Sequence, residues 1–344
     1  MKILHIIDDS RVGSEGEYMI RAALAVLRLP SAKVAVIAPS KGGIVSELQR
    51  HGIDVTTIKF GGLLGFIAVS RLANRIISFA GEGDGERDVI VHLHSAALLN
   101  VVSGAVVIAA KSCRCVKLVL SCGHADATSS SPAMRYVDAI VDPSVMPPAT
   151  VCRKLTPAPE VTPLRLFYAG RLDGAVPFAE LIDALTLLGD KSEGVTLTVV
   201  GEGEGRNVMP MIRKLRKAGI DRIVDWRGGI DCGDPSLAGF DVAVSDMPLS
   251  PSGEPSPLGC RHMASSMVLL APGDGGDDLS RGILTWPSGN AASLASVISR
   301  LLADSDLVAR LRRNAAATAE ALWGDPDRFA ARLGEFYKSL IETR

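Results

Sequence analysis

Residues 164–203 contain the pattern that decides the fold of this chain, and they read LRLFYAGRLDGAVPFAELIDALTLLGDKSEGVTLTVVGEG. Two apolar runs, LRLFYAG (164–170) and VTLTVV (195–200), are short, are bounded by turn residues and carry β-branched or aromatic side chains, so each is predicted to be a buried strand. Between them, PFAELIDALTLLG (177–189) has its apolar residues at helical spacing. A strand, a helix and a second strand in this order predict two parallel strands joined by a crossover helix.

The same alternation continues on both sides of this unit. Downstream of it, further predicted strands are IVDWRG (223–228), FDVAVSD (240–246) and MVLLAPG (267–273), with AASLASVISRLLAD (291–304) as a helix. Upstream, the predicted strands are KILHII, KVAVIAP, DVTTIKF, DVIVHLHS, VKLVLSCG and VDAIVDPS, mostly separated by amphipathic segments. MPPATVCRKLTPAPEVTPLR (146–165) interrupts the alternation with five prolines, which is typical of a linker. We therefore predict an α/β chain with two Rossmann-like, doubly wound parallel-sheet domains.

Composition limits the classes of function. The chain has 344 residues, 47% of them hydrophobic and 22% charged, which is typical of a globular protein long enough for two domains. Its 37 basic and 38 acidic residues give a net charge of −1 and no signal for nucleic-acid binding. The apolar run at the start is too short for a signal peptide, and VVSGAVVIAA (101–110) is about half of a membrane span. We expect a cytoplasmic protein whose six cysteines stay reduced; none forms a Cys-x-x-Cys pair, so zinc is not expected.

Three segments of the second half resemble one family, the retaining glycosyltransferases of the GT-B fold, family 4. These segments are LFYAGRLDGAVPFAELIDAL (166–185), LTVVGEGEGRNVMPMIRKL (197–215) and DVAVSDMPLSPSGEPSPLGCRHMASSMVLLAP (241–272). The resemblance is fainter at the start, in MKILHIIDDSRVGSEGEYMIRAALAVL. It implies two Rossmann-like domains facing a central cleft: an acceptor-side domain over 1–155, to which a helix over 327–344 crosses back, and a nucleotide-sugar domain over 156–326.

The first two segments imply contacts with the donor diphosphate. Arg171 follows a strand and corresponds to the family's diphosphate-binding arginine, a residue type that binds phosphate oxygens bidentately. Its usual lysine partner, five residues on, is replaced by Val176, and Pro177 follows where glycine is usual. Gly201 and Gly203 lie in the loop that corresponds to the family's Gly-rich turn before a helix, which lets a backbone approach a ligand. A structural turn is nearly as good an interpretation of this loop.

The third segment corresponds to the family motif of two glutamates separated by seven residues. Glu254 matches the first glutamate, which contacts the donor sugar. The position of the second, ribose-binding glutamate is occupied by His262, or by Arg261 if one residue is deleted. Between these positions, residues at the start of a helix would meet the phosphates, and here they are Ser256, Leu258 and Gly259. The resemblance therefore implies a sugar-nucleotide site with an altered ribose anchor; a loop with a solvated glutamate is the alternative.

The first domain supplies weaker candidates. Gly13, Ser14 and Gly16 correspond to the loop that faces the donor, His124 to a histidine near the donor sugar, and Asp126 is a candidate acceptor contact. His92 and His94 share one face of a strand, because side chains alternate with a period of two. These two could ligate a metal ion, but no third ligand is evident, so we favour structural roles and predict no metal site.

The function implied is transfer of a sugar from a UDP- or GDP-linked donor to an acceptor hydroxyl, with retention and without metal or other cofactor. The catalytic candidates are His124 and Glu254. Glycan, lipid-linked and small-molecule acceptors stay open, and so does peripheral membrane contact through GGLLGFIAVSRL (61–72), although core packing is favoured for that segment.

Several alternatives remain. The replaced lysine and second glutamate favour a catalytically degenerate GT-B protein that works as a binding or scaffold partner. An unusual donor preference, in which His262 or Arg261 contacts a phosphate, is another. A sugar-nucleotide epimerase lacks a recognisable acidic catalytic set here. An NAD-dependent oxidoreductase is weakest, because the loop reads Gly-x-Gly-x-Gly and not Gly-x-Gly-x-x-Gly.

Overall fold

A computed structural model describes most of the chain. The described residues are 1–9, 14–60, 65–83, 87–122, 131–143, 146, 163–170, 172, 176–201, 205–228, 239–274 and 276–342. Their contacts divide the chain into two compact units. The first unit contains Met1–Ser10, Glu15–Ala149 and Pro326–Arg344, and the second contains Arg11–Ser14 and Thr150–Asp325.

The first unit alternates strands and helices along the chain. Its strands are β1 (Lys2–Ile6), β2 (Lys33–Ala38), β3 (Asp54–Thr57), β4 (Asp88–Leu93), β5 (Cys115–Ser121) and β6 (Ala139–Val141). Its helices are α1 (Ser14–Leu27), α2 (Gly43–Arg50), α3 (Gly65–Gly81), α4 (Leu99–Ala109) and, from the end of the chain, α10 (Pro326–Glu342). The apolar face of α3 places Ala68 and Leu72 in the core, as favoured above, whereas Ile67 on the same helix is exposed.

The second unit repeats the arrangement. Its strands are β7 (Leu164–Ala169), β8 (Val195–Val200), β9 (Val224–Trp226), β10 (Val242–Val244), β11 (Val268–Pro272) and β12 (Ile283–Trp286). Its helices are α5 (Val176–Leu187), α6 (Gly205–Ala218), α7 (Pro257–Ala264), α8 (Ala291–Ala303) and α9 (Ser305–Trp323). The linker predicted near residue 150 lies mostly outside the described residues.

Both sheets are parallel, and they have the same strand order. The order is β3-β2-β1-β4-β5-β6 in the first unit and β12-β11-β10-β7-β8-β9 in the second, which is the first order read from the other edge. In each sheet the chain reverses its direction of travel between two central strands, β1 and β4 or β7 and β10. Ligands of open α/β sheets bind at the carboxyl ends of the strands beside such a reversal point.

The predicted α/β class and the two Rossmann-like sheets are confirmed. The strand β12, which has only four residues, lies in a stretch for which the sequence predicts no element. It extends the second sheet by pairing with β11. Among the described helices, none has both the length and the apolar character that crossing a bilayer requires.

Candidate functional site

The central strand ends of the second sheet come together at two glycines. Gly170 follows β7 and Gly201 follows β8, with φ angles of 150° and 158° that side chains rarely adopt. A Cβ on Gly201 would lie 2.0 Å from the Gly170 carbonyl oxygen, and a Cβ on Gly170 would lie 2.7 Å from the Cβ of Asp246. Glycine is therefore required at both positions, and the three strand ends pack closely at the point where the sheet reverses.

Asp246, just after β10, is a residue that the sequence interpretation missed. Burial raises the pKa of its carboxyl to about 6, while hydrogen bonds from the side chains of Ser14, at 3.0 Å, and of Ser256 favour the ionised form. A titratable carboxyl at the reversal point of a doubly wound sheet is a candidate functional group by position and by pKa. A signal for it was present, because FDVAVSD ends a predicted strand in an aspartate.

The start of α7 lies next to this carboxyl in the chain and in space. Ser256 caps the helix, since its Oγ accepts a hydrogen bond of 3.1 Å from the Gly259 N–H, and Pro257 follows at the first helical position. The Cys260 N–H donates to the Ser256 carbonyl oxygen. Among the described residues no acceptor contacts the N–H of Leu258, so this amide is the one that the first turn offers to an anion.

Gly259 has a packing role in this turn. A Cβ there would lie 3.2 Å from the Pro255 Cβ and 3.3 Å from Leu269 Cδ2. Because Gly259 has no side chain, α7 packs closely against β11 at the capped first turn.

Glu254 is held by an arginine that the sequence did not indicate. Arg281 Nη2 donates to Glu254 Oε2 at 2.8 Å, and Arg281 Nη1 donates to the Gly253 carbonyl oxygen at 3.3 Å. The Glu254 N–H in turn donates to Ser250 Oγ at 3.0 Å. These contacts fix the carboxylate and the loop that carries it, and within the described part of the chain its second oxygen, Oε1, has no hydrogen-bond partner.

The two candidates for the ribose position have different surroundings. The ring of His262 is only 4% exposed and packs edge to face on Phe167, with ring centroids 5.3 Å apart. Its position favours core packing over ligand contact. Arg261 is partly buried on the neighbouring position of α7, and Leu258 has its side chain in the core. The predicted ligand contacts of these three residues stay predictions.

Five of the predicted site residues lie outside the described residues: Gly13, His124, Asp126, Arg171 and Gly203. Ser14 and Gly16, which were expected in a loop, instead lie in the first turn of α1, and both are buried. That loop prediction is wrong for these two residues, because the helix begins at Ser14. Val176, at the position of the family lysine, is the first residue of α5 and is 55% exposed.

The first unit has a buried histidine cluster, formed by His5, His92 and His94. His5 and His92 are direct neighbours in the parallel pair of β1 and β4, so His5 is the third member that the sequence did not reveal. His5 Nδ1 lies 2.8 Å from His94 Nε2. His92 contacts the Tyr337 hydroxyl through Nδ1 and Ser121 Oγ through Nε2, both at 2.6 Å.

Burial dominates the electrostatics of this cluster. It lowers the pKa of His5 to about 3 and holds those of His92 and His94 well below their usual value. One ring nitrogen from each histidine lies within 4.8 Å of the others, which is a spacing that could hold a metal ion. Both ring nitrogens of His92 already contact hydroxyl groups, so an ion would have to displace one of these contacts, and the geometry favours the structural role expected for His92 and His94.

A buried ionic network supports the amino end of β10. Asp241 accepts hydrogen bonds from Arg165 Nη2 at 2.9 Å and from Arg312 Nη1 at 3.2 Å, and Arg312 Nε donates to the Ser266 carbonyl oxygen at 3.0 Å. Arg312 is 2% exposed. The network joins β7, β10, α7 and α9, and so holds the strands whose other ends form the candidate site.

Two Rossmann-like units with the same six-strand order define the GT-B fold. Solved structures agree with this assignment. HepE of Anabaena, in complex with UDP and glucose, matches with a TM-score of 0.73 at 16% identity, covering 98% of this chain and 100% of HepE. A glycosyltransferase from Rickettsia africae matches with a TM-score of 0.68 at 14% identity, covering 100% and 99%. Sucrose-phosphate synthase from Thermosynechococcus elongatus matches with 0.67 at 14% identity, covering 100% of both chains.

At these identities the likeness establishes the fold. Comparison of the sequence with family models and with curated proteins gives no significant match.

Proposed function

We propose that the protein is a glycosyltransferase of the retaining family 4 type, which moves a sugar from a nucleoside-diphosphate donor to an acceptor hydroxyl. The observation that carries this proposal is the Glu254 carboxylate. Arg281 fixes one of its oxygens, the other has no partner among the described residues, and the capped start of α7 follows two residues later. The likeness to HepE, which was solved with UDP and with UDP-glucose, supports a nucleotide sugar as the ligand.

In this scheme Glu254 Oε1 accepts a hydrogen bond from a hydroxyl of the donor sugar. Arg281 is a positioning residue, because it holds the carboxylate without being needed to touch the sugar. The Leu258 N–H and the positive end of α7 face the diphosphate, together with Arg171 as the resemblance implies. His124 and Asp126 are kept as candidate contacts on the acceptor side.

The reaction breaks the bond between the anomeric carbon and the diphosphate oxygen, and it forms a bond from that carbon to the acceptor oxygen. The acceptor hydroxyl loses its proton to the leaving diphosphate, which departs on the face that the acceptor enters, so configuration is retained. Protein groups then act by holding two substrates together and by stabilising the charge on the leaving group. This scheme uses no metal ion.

The donor experiment compares sugar nucleotides with the bare nucleotides. Thermal unfolding is followed with UDP, GDP, ADP and CMP and with the UDP- and GDP-sugars, because a ligand that binds only the folded state raises apparent stability, by about 2.7 kcal/mol at a hundredfold excess over Kd. We expect one sugar nucleotide to raise Tm more than its bare nucleotide does. Glu254→Gln should abolish that difference while keeping most of the shift caused by the nucleotide.

Glu320→Gln is the matched control, because Glu320 is exposed on α9, outside the proposed site. If no nucleotide shifts Tm at millimolar concentration, the transferase proposal is rejected, and a catalytically degenerate GT-B protein that binds a partner takes its place. If the sugar-dependent part of the shift survives Glu254→Gln, the role given to Glu254 is rejected.

A further inference from the structure

A pocket lies in the first unit, away from the point where its sheet reverses. It has a volume of about 390 Å³ and lies at the carboxyl ends of β2 and β3, against α3. Its size is within the range of roughly 300–1,000 Å³ that is common for small-molecule sites. The histidine cluster and the predicted donor contacts are not part of its lining.

The charged side chains that line this pocket are all positive. They are Lys41 after β2, Lys59 after β3 and Arg71 on α3, and no carboxylate is part of the lining. Within the described part of the chain none of the three forms a salt bridge. Three cations around one small space repel one another unless an anion is present.

Arg75 shows that the lack of a carboxylate partner is a property of the pocket and not of helix α3. It lies one turn beyond Arg71 on α3, and its guanidinium pairs with both Asp54 and Glu82. The arginine outside the pocket is therefore neutralised by the protein, whereas the arginine inside it is not.

The remaining lining suits a ligand with a phosphate at one end. Thr57 places a hydroxyl-bearing side chain beside the cations, and Ile67 and Ala68 form an apolar wall on α3. Ile67 is 46% exposed although its neighbour Ala68 is buried, so it contributes apolar surface to the pocket. Arginine and lysine together with a hydroxyl group are a common set of ligands for phosphate oxygens.

We propose that this pocket binds a phosphate or diphosphate group, and that the sugar acceptor carries that group. The second part rests on the proposed glycosyltransferase function, whereas the anion site stands without it. Lys41, Lys59 and Arg71 hold the phosphate oxygens, and the wall of Ile67 and Ala68 contacts the part of the acceptor next to them. A soluble sugar phosphate and the diphosphate of a lipid carrier present the same chemistry here.

The first test uses inorganic pyrophosphate as the probe, with hydrogen exchange as the readout in each unit. We expect pyrophosphate to slow exchange in peptides from 35–60 and 67–80. The variant Lys59→Ser/Arg71→Ser should weaken its Kd at this site at least tenfold, because it removes two cationic side chains that donate charge-assisted hydrogen bonds to the phosphate oxygens. Raising the salt concentration should weaken binding as well.

Lys111→Ser is the matched control, because Lys111 is exposed and lies before β5, at the amino edge of the same sheet. It should leave the pyrophosphate Kd unchanged. All substituted side chains are exposed, and the Tm of each variant checks that it folds. A second variant, Lys41→Glu, should also weaken pyrophosphate binding relative to the parent protein, because it reverses one charge of the pocket.

Two further probes distinguish the sources of the phosphate. Glucose 1-phosphate tests a soluble acceptor, and phosphatidylcholine vesicles with or without phosphatidic acid test a membrane-borne phosphate. Either probe that competes with pyrophosphate supports the site and names the source. Protection of 35–60 by pyrophosphate without any nucleotide effect would keep the anion site and reject the transferase. The anion-site proposal would be rejected if pyrophosphate gave no protection at 35–60, or if Lys59→Ser/Arg71→Ser bound pyrophosphate with unchanged Kd. A nucleotide effect on exchange at 241–265 in the same experiment would still support the transferase proposal.

Discussion

The two units use one strand order to hold polar groups in two different ways. In the first unit the central strands β1 and β4 carry His5 and His92 inside the core, where the histidines contact one another and the Tyr337 hydroxyl. In the second unit the central strands β7 and β10 are mostly apolar along their length, and Asp246 stands at their carboxyl ends beside two glycines. A buried ionic network of the second unit lies instead at the amino ends, around Asp241.

The difference indicates which buried polar groups contribute to stability and which lie where a ligand is proposed to bind. Burial holds the pKa values of the three histidines low and keeps the rings neutral, so the first unit is sensitive to acid. The second unit keeps its buried Asp241 network at the end of the sheet opposite to the candidate site, whereas Gly170, Gly201 and the Asp246 carboxyl, whose pKa is raised by burial, lie at the strand ends of that site. Variants that affect one end of a sheet and not the other therefore test the comparison.

The largest effect is expected from Arg312→Ala. Removing a buried partner leaves the Asp241 charge without full compensation, and such losses cost about 3–5 kcal/mol. Urea unfolding should show this loss, with hydrogen exchange fastest in peptides that cover β10 and α9. Arg313→Ala, an exposed neighbour on α9, should change the unfolding free energy by less than about 0.5 kcal/mol. Similar losses in the two variants would contradict a structural role for the network.

Acidification should act mainly on the first unit. The folded chain holds the His5 pKa near 3, against 6.5 for an ordinary histidine, so only the unfolded chain takes up the proton as the pH falls. The stability that the neutral ring contributes is complete above about pH 6.5 and is lost toward pH 3, at about 1.4 kcal/mol per pH unit for each such histidine. Hydrogen exchange of β4 between pH 7 and 5, corrected for intrinsic rates, should show this slope, and His5→Gln should reduce it. A slope that His5→Gln leaves unchanged would mean that the folded chain does not lower the His5 pKa.

Asp246 should give a pH dependence of folding stability that is opposite in sign to that of His5 and smaller. Its folded pKa, about 6, is raised above the ordinary 3.8, so the protonated form is favoured on folding. That contribution is complete below about pH 3.8 and is lost as the pH rises through 6. Asp246→Asn keeps a neutral hydrogen-bonding group, so it should stabilise the protein at pH 7.5 by on the order of 1 kcal/mol and have little effect at pH 4.

The same variant tests the site. If Asp246 lies near the donor diphosphate, Asp246→Asn removes a repulsive charge and should tighten UDP binding at pH 7.5 more than at pH 5.5. A Kd ratio that does not change with pH would place this carboxyl away from the phosphates.

The sequence predicted the parts that local pattern controls. Apolar runs and helical spacing indicated β7, α5 and β8 with correct order and type, since burial on both faces of a parallel sheet leaves a strong local signal. The serine and proline before α7 are local signals as well. By contrast, β12 was missed because four residues between a glycine and a proline have too little pattern to identify a strand.

Contacts between distant segments could not be predicted in the same way. Arg281 reaches Glu254 from a loop 27 residues later, and nothing local to either residue indicates the pair. His5 joins His92 only through the register of β1 and β4, which the spacing within HLHS does not contain. The start of α1 at Ser14 also differed from expectation, because a glycine at position 16 was interpreted as loop when the helix accommodates it as a buried, side-chain-free position.

The smallest expected effect is a gain in UDP affinity, and it tests directly whether the carboxyl ends of the strands in the second unit bind the diphosphate. Val176 occupies the first turn of α5, after β7 in the chain, at the position that corresponds to a lysine in the glycosyltransferase family that the sequence resembles. Because its side chain is 55% exposed, Val176→Lys should be tolerated without loss of stability. A cation placed there should tighten UDP binding about three- to tenfold if the diphosphate lies at this strand end, which corresponds to about 0.6–1.4 kcal/mol.

Leu187→Lys is the matched control for this gain. Leu187 ends the same helix and is 61% exposed, so the substitution adds the same charge at the opposite end of α5. Titration calorimetry with UDP should show tighter binding for Val176→Lys and no change for Leu187→Lys. Equal affinities in both variants and the parent would place the diphosphate away from β7. They would also count against the contact between Arg171 and the diphosphate that the resemblance implies, because Arg171 follows β7 closely in the sequence.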